Sequence, residues 1–231
     1  DFRDAAVLRE WSHVADCVRW VRELTRACGQ RGGVIRSVRA IGFETVDKTV
    51  TKVRLDGEES VKAREIVIAS GTASKALAKD LGMALPIEGL MGYWTGLDDH
   101  GTDLKHTVFY PAGGFGMTPH ENALAVAGTV ESAGPRAEAL WRRADVLVKR
   151  ARRVLPGLKT QSAERRMGRR LFTPDTRPII GRTQRYSNVT FATGHGQLGV
   201  TLGATTGRLV ADIMAGRRTN TDLSCFSPDR F

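Results

Sequence analysis

The apolar positions of this chain change period several times, and each change marks an element. From His13 to Cys28, Val14, Val18, Val21, Leu24 and Ala27 recur at helical spacing, and Gly29 and Gly32-Gly33 end the run. Strand-like alternation follows in Val34–Val38, Ile41–Val46 and Val50–Leu55, then passes the turn Asp56-Gly57 into Val61–Ala63. Glu65-Ile66-Val67-Ile68-Ala69 is short and almost continuously apolar, as a strand buried on both faces is. It enters Ser70-Gly71-Thr72-Ala73-Ser74 and a helix over Lys75–Leu81. From Met83 to Glu131 the pattern is antiparallel β, with strands expected at Leu90–Leu97, Lys105–Tyr110, Gly114–Thr118 and Ala123–Val130. A helix is expected over Arg136–Leu155, then a basic segment to Arg170. The stretch Leu171–Gly181, with Pro174 and Pro178 around Asp175, predicts a stiff loop rather than a regular element.

The last part repeats the strand–glycine–helix order. Asn188–Ala192 is a β-like run, Thr193-Gly194-His195-Gly196-Gln197-Leu198-Gly199-Val200-Thr201 is the turn, and a helix runs on to Met214. Gly194, Gly196 and Gly199 have the dinucleotide spacing G-x-G-x-x-G in its strand–turn–helix setting. Such a turn lets a ligand approach the backbone, with free N–H groups and the positive end of the helix dipole facing it. A nicotinamide dinucleotide on a first βαβ unit does not fit, because no second strand of parallel type follows Ala215-Gly216. The motif closes a fold instead of opening one, and Gly71 and Gly194 are expected to meet at one ligand.

Composition changes this picture little. The 231 residues are 41% hydrophobic and 26% charged, ordinary for one large or two small globular domains. The three cysteines, Cys17, Cys28 and Cys225, form no C-x-x-C and read as free thiols in a reducing compartment. The histidines His13, His100, His106 and His120 lack metal-ligand spacing, so no metal is expected. No apolar run has membrane-spanning length, and no amphipathic anchor stands out. The formal charge of +10 is concentrated in Arg142-Arg143, Lys149-Arg150, Arg152-Arg153 and Arg165–Arg170. Aromatic residues are not interleaved there, so solvated faces are expected and no nucleic-acid partner. A cytoplasmic location is expected, with peripheral attachment to an anionic inner membrane compatible with the charge. The chain begins Asp1-Phe2-Arg3 without Met, and we expect it to be part of a longer protein or a subunit of one.

Four blocks, in order, resemble the flavin-dependent D-amino acid oxidase superfamily, its D-amino acid dehydrogenase branch most of all. Ile66–Ser74 is similar to that family's strand ending in A-G-A-W-S, and Ala127-Gly128-Thr129-Val130-Glu131 to its G-G-T-x-E. Arg170–Gly181 resembles R-P-x-T-P-D-x-x-P-x-I-G, and Thr193–Gly199 resembles T-G-H-G-x-L-G. Together they span about Ile66 to Arg217. The family's own phosphate-cradling G-x-G-x-x-G, in an N-terminal βαβ unit, has no counterpart here. Thr72-Ala73 stands for Ala-Trp and Leu171 for the first proline of the loop.

The resemblance implies an α+β or α/β fold. Residues 1–82 and 173–231 would be parts of a Rossmann-like FAD-binding domain of glutathione-reductase type. Residues 83–172 would be an antiparallel substrate domain with a flanking helix. It implies FAD as cofactor and a small amino acid as substrate. The N-terminal segment or partner chain that completes the FAD site is the expected partner. A D-amino acid is oxidised to an imino acid that hydrolyses to a 2-oxo acid and ammonia; a glycine, sarcosine or cyclic imino acid oxidase and a non-catalytic subunit are the alternatives. Arg170 is implied to grip the substrate carboxylate, while Arg169 points away and stays solvated. Tyr93 and Tyr110 roof the pocket or hydrogen-bond the substrate, with core or rim tyrosines as the plainer reading. The residues Gly194, His195, Gly196, Gln197, Leu198, Gly199, Val200 and Thr201 are implied to hold the flavin. Gly71, Thr72 and Ser74 line it from the other side, and Val38 touches its adenosine half.

Overall fold

The computed structural model describes residues 5–134 and 136–231. In chain order the elements are α1 (Cys17–Gln30), β1 (Ala40–Val46), β2 (Thr49–Leu55), β3 (Glu58–Lys62), β4 (Ile66–Ile68) and α2 (Ser74–Asp80). Then come β5 (Glu88–Leu97), β6 (Val108–Tyr110), β7 (Phe115–Pro119), β8 (Leu124–Glu131) and α3 (Arg142–Val154). The chain ends with β9 (Ala163–Phe172), β10 (Ile179–Arg182), β11 (Val189–Thr193), α4 (Gly199–Met214) and two single 3-10 turns. The strands form three sheets, of order β1-β2-β3, β10-β11-β4 and β6-β7-β8-β5-β9.

Two compact units are present. One comprises residues up to Ile35, Tyr93–Thr129 and Leu140–Met167; the other comprises Arg36–Gly92, Val130–Ala139 and Gly168–Phe231. In the second unit, β1, β2 and β3 form an antiparallel meander. Asp47 and Gly57 take positive φ at its two hairpins, of 50° and 69°. β4 lies parallel to β11, and β10 antiparallel to β11. Ile66, Ile68, Ile179, Val189 and Phe191 form one core with Leu77 and Ala78 of α2 and with Leu81 just after it. Val67, Ala192 and Ile180 meet Leu209 and Val210 of α4 in another. Burial on both faces explains the unbroken apolar run of β4. Asn188 ties the meander to this sheet: its amide accepts from Val50 N (2.9 Å) and donates to the Val50 and Arg64 carbonyls (2.8 and 3.0 Å).

In the first unit, β6, β7 and β8 pair antiparallel. Ala144, Leu147 and Ala151 of α3 are fully buried, as are Met117, Leu124 and Val126. The spacing 144, 147, 151 is one helical stripe, and the arginines lie off it.

Three expectations change, and one element adds a feature of its own. Val34–Val38 is irregular, with Val34 and Ile35 exposed, because no strand among the described residues takes up its alternation. The helix expected from Arg136 starts at Arg142, since the Leu140 N–H is bound by the Tyr93 hydroxyl (2.9 Å) instead of entering the helical ladder. The basic segment before Arg170 is a ten-residue strand, β9, whose arginines sit at a sheet edge where strand pairing does not require them to be apolar. It reaches Phe172, so the stiff loop shrinks to residues 173–178. Finally, α1 is an amphipathic helix whose apolar stripe is uncovered among the described residues, with Val18, Val21 and Leu24 all exposed.

Candidate functional site

Because β4 and β11 run parallel, with Ile68 opposite Phe191, their carboxyl ends lie at the same sheet edge. Both glycine turns leave from that edge, the place where open α/β sheets receive ligands. Gly71 has φ 57°, Gly194 75° and Gly196 54°, a region that side chains make costly. Space is short at the second turn as well. A Cβ on Gly196 would lie 2.9 Å from the Phe172 ring, and one on Gly194 would lie 3.1 Å from the Thr173 methyl. The Gly196 N–H donates to the Leu171 carbonyl at 2.7 Å, which stitches the end of β9 to the turn.

Helix α4 opens with no side-chain cap: Leu198 is its N-cap. Its first-turn N–H groups, from Gly199, Val200 and Thr201, therefore lack intrahelical acceptors and face outward with the positive end of the dipole. Gln197 and Leu198 are exposed beside them. A cleft of about 270 Å³ runs between α4 and the strands, walled by Val67, Ala69, Ala192, Gly199, Gly203 and Gly207. His195 borders it, half-buried, with Nε2 3.0 Å from the Thr206 hydroxyl. Burial lowers its pKa below the ordinary histidine value, so the imidazole is neutral near pH 7.

At the other turn, Thr72 is exposed, whereas Ser74 is fully buried with its hydroxyl 3.2 Å from that of Ser70. Ser74 thus starts α2 from within the protein. Val38 is half-buried in the irregular segment before β1, and the structure ties it to neither turn.

Arg170 projects from β9 one residue before Leu171. Its guanidinium is half-buried, and among the described residues it has no hydrogen-bond or ion-pair partner. Desolvation pushes its pKa down from the usual arginine value. It lies over Gly92 of β5, where an added Cβ would overlap the guanidinium. Arg169 corrects its expectation: it is not solvated but donates to the carbonyls of Gly134 (2.8 Å) and Ala137 (3.0 Å). The loop after β9 is pinned. Arg230 makes a two-point contact with Asp175, at 2.9 and 3.1 Å, and Thr173 Oγ1 donates to the Arg177 carbonyl at 2.7 Å.

In the other unit, Tyr93 is fully buried, its hydroxyl accepting the Leu140 N–H and its ring edge-on to Trp141. Tyr110 is half-buried and packs edge-on against Phe115, with centroids 5.7 Å apart. Both tyrosines pack edge-on against a neighbouring ring. The residues missed from sequence are Phe172, Thr206 and Gly92. Only Gly92 left a signal, as a glycine inside a strand pattern.

Parallel strands, paired glycine turns and an uncapped helix thus mark one sheet edge as the candidate site. The comparisons with known proteins agree: the chain belongs to the DAO family of FAD dependent oxidoreductases, whose family model matches residues 1–213. It is 30% identical over 230 residues to a D-amino-acid oxidase of Bradyrhizobium diazoefficiens, covering 97% of this chain and 54% of that protein. It is 34% identical over 213 residues to a D-amino acid dehydrogenase of Granulibacter bethesdensis, covering 90% and 50%. The chain thus spans about half the length of the curated relatives it matches. Among solved structures, glycine oxidase from Geobacillus kaustophilus is similar with TM-score 0.80 at 22% identity, covering 91% of this chain and 57% of that one. L-proline dehydrogenase from P. horikoshii gives 0.81 at 16%, covering 93% and 59%. These last two likenesses concern the fold.

Proposed function

We propose that this chain forms part of an FAD-dependent enzyme that oxidises the Cα–N bond of a D-amino acid. The imino acid so formed is hydrolysed to a 2-oxo acid and ammonia. The observation that carries the reading is Arg170, a half-buried cation without a partner among the described residues. Its strand end is fastened to the glycine turn by the 2.7 Å Gly196–Leu171 bond. An unpaired, partly desolvated guanidinium is costly unless an anion arrives, and its planar fork suits a carboxylate. Holding that carboxylate fixes the substrate Cα, and orientation of this kind accounts for much of catalysis in such reactions.

The residues present fit the cofactor. Gly194 and Gly196 leave a backbone surface that a Cβ would disturb, the start of α4 offers N–H groups to a negative or electron-rich edge, and His195 adds a neutral, fixed ring. FAD, when bound, supplies a two-electron acceptor. Half-length coverage of the relatives supports a further dinucleotide-binding portion, in the rest of a longer chain or in a partner chain.

The test is steady-state kinetics of the flavin-loaded protein on a panel of D-amino acids, glycine and sarcosine. Arg170→Leu is expected to raise KM severely while bound flavin, read by its absorbance, is kept. An unchanged KM removes Arg170 from the site. Turnover of glycine or sarcosine in preference to every D-amino acid moves the assignment to the small-amine oxidases.

A further inference from the structure

Gly92 lies inside β5, where a glycine weakens a strand and often marks the close approach of another group. Here the approaching group is identified. A Cβ at Gly92 would lie 1.2 Å from Nη1 of Arg170, 2.2 Å from Cζ and 2.9 Å from Nη2. All three distances are far below contact, so the guanidinium rests over the Gly92 backbone where any other residue would put its first carbon. Gly92 does not carry positive φ, so backbone conformation does not require the glycine; space does. The neighbouring glycines of β5 differ. Gly89 would place a Cβ no closer than 3.8 Å to Arg169, and Gly96 would place one 3.4 Å from its near neighbour Trp94.

We infer that Gly92 is the positioning residue for Arg170: the missing side chain is the seat that holds the guanidinium in one orientation for the substrate carboxylate. The inference rests on the carboxylate reading of Arg170. No hydrogen bond among the described residues holds the guanidinium, so shape is what remains to set its direction. A bidentate contact depends on direction more than a point charge does. A methyl at position 92 would push the guanidinium aside, and since the displaced atoms are the far end of a flexible side chain, the fold would survive.

The experiment uses the full chain with phenylacetate as a carboxylate probe, affinity read by calorimetric titration, and the Arg170 Nε–H resonance followed by NMR. Arg170→Leu identifies that resonance by its loss and is expected to weaken phenylacetate by about ten- to a hundredfold. Gly92→Ala is expected to shift the resonance and weaken the probe by about tenfold. In an Arg170→Lys background, whose compact ammonium has no flat face to seat, Gly92→Ala is expected to change nothing more. If Gly92→Ala leaves resonance and affinity at parent values while Arg170→Leu weakens binding, the Gly92 inference falls and the carboxylate reading stands. Equal losses from Gly92→Ala in the Arg and Lys backgrounds also overturn the inference, since they show a general structural role. Undiminished affinity in Arg170→Leu overturns the carboxylate reading itself, and the inference with it.

Discussion

The two halves of β9 carry four arginines, and the halves treat them differently. In the first half, Arg165 faces Asp145 at 3.6 Å, and Arg166 pairs with Glu164 while lying 4.9 Å over the Trp94 ring. Both are exposed, with charge balanced by neighbours or water. In the second half, Arg169 is held by two carbonyls and Arg170 is half-buried over a glycine with no counter-charge among the described residues. One sequence run thus yields solvated charges at one end and a desolvated cation at the other. The difference teaches that a basic run need not act as a unit: burial and the supply of partners, residue by residue, decide which member is left without a counter-charge among the described residues.

The largest expected effect tests that contrast directly. Arg170→Leu is expected to weaken substrate binding by about ten- to a hundredfold, the worth of a charge-assisted pair. Arg166→Leu, which removes an exposed pair, is expected to change it by less than about threefold. Equal effects in the two variants would mean that the run acts through its overall field, and the comparison would collapse.

Next in size is Gly196→Val, which sets a β-branched residue at φ 54° against Phe172. The expected cost is about 1–3 kcal/mol of stability with loss of flavin, measured by thermal melting and by absorbance. Retained flavin would show that the turn only shapes the fold.

The strength of local rules decided how much could be read in the sequence. The Asp56-Gly57 hairpin, the buried β4 run and the glycine turn before α4 were legible, because turn chemistry and periodicity are written in neighbouring residues. Repetition alone does not put the two glycine turns at one sheet edge; the parallel pairing of β4 with β11 does. β9 was illegible because arginines at a strand edge carry no apolar signature. The hold on Arg169 is not legible locally, because its carbonyl partners, Gly134 and Ala137, lie more than thirty positions away. Phe172 against Gly196 and Thr206 against His195 were not legible either, because side-chain contacts between one element and the next carry no periodic signal.

A smaller effect concerns the loop after β9. The Arg230 guanidinium holds the Asp175 carboxyl well below the usual carboxylate range. A depressed folded-state pKa gives stability that is present above the unfolded value, about 4, and is lost as pH falls below it. Asp175→Asn is expected to flatten the acid limb of the melting temperature below about pH 4, relative to the parent. An unchanged limb would mean that the Arg230 contact adds nothing to the fold in solution.

The smallest expected effect separates two causes at His195. Thr206→Val keeps the shape of a buried side chain and removes the hydroxyl 3.0 Å from Nε2, at an expected cost of about 1 kcal/mol. Burial is what lowers the His195 pKa, so the folded protein resists protonation that the unfolded chain accepts. Stability is therefore full above about pH 6.5 and declines as pH falls toward the folded pKa. Because the hydroxyl is not the cause, this decline is expected to persist in Thr206→Val, with the whole curve lowered, and to vanish in His195→Gln. Melting curves from pH 7 to pH 5 check both variants. A decline abolished by Thr206→Val would assign the shift to the hydrogen bond instead, and would make the α4 contact, not the depth of the turn, what keeps the imidazole neutral beside the glycines.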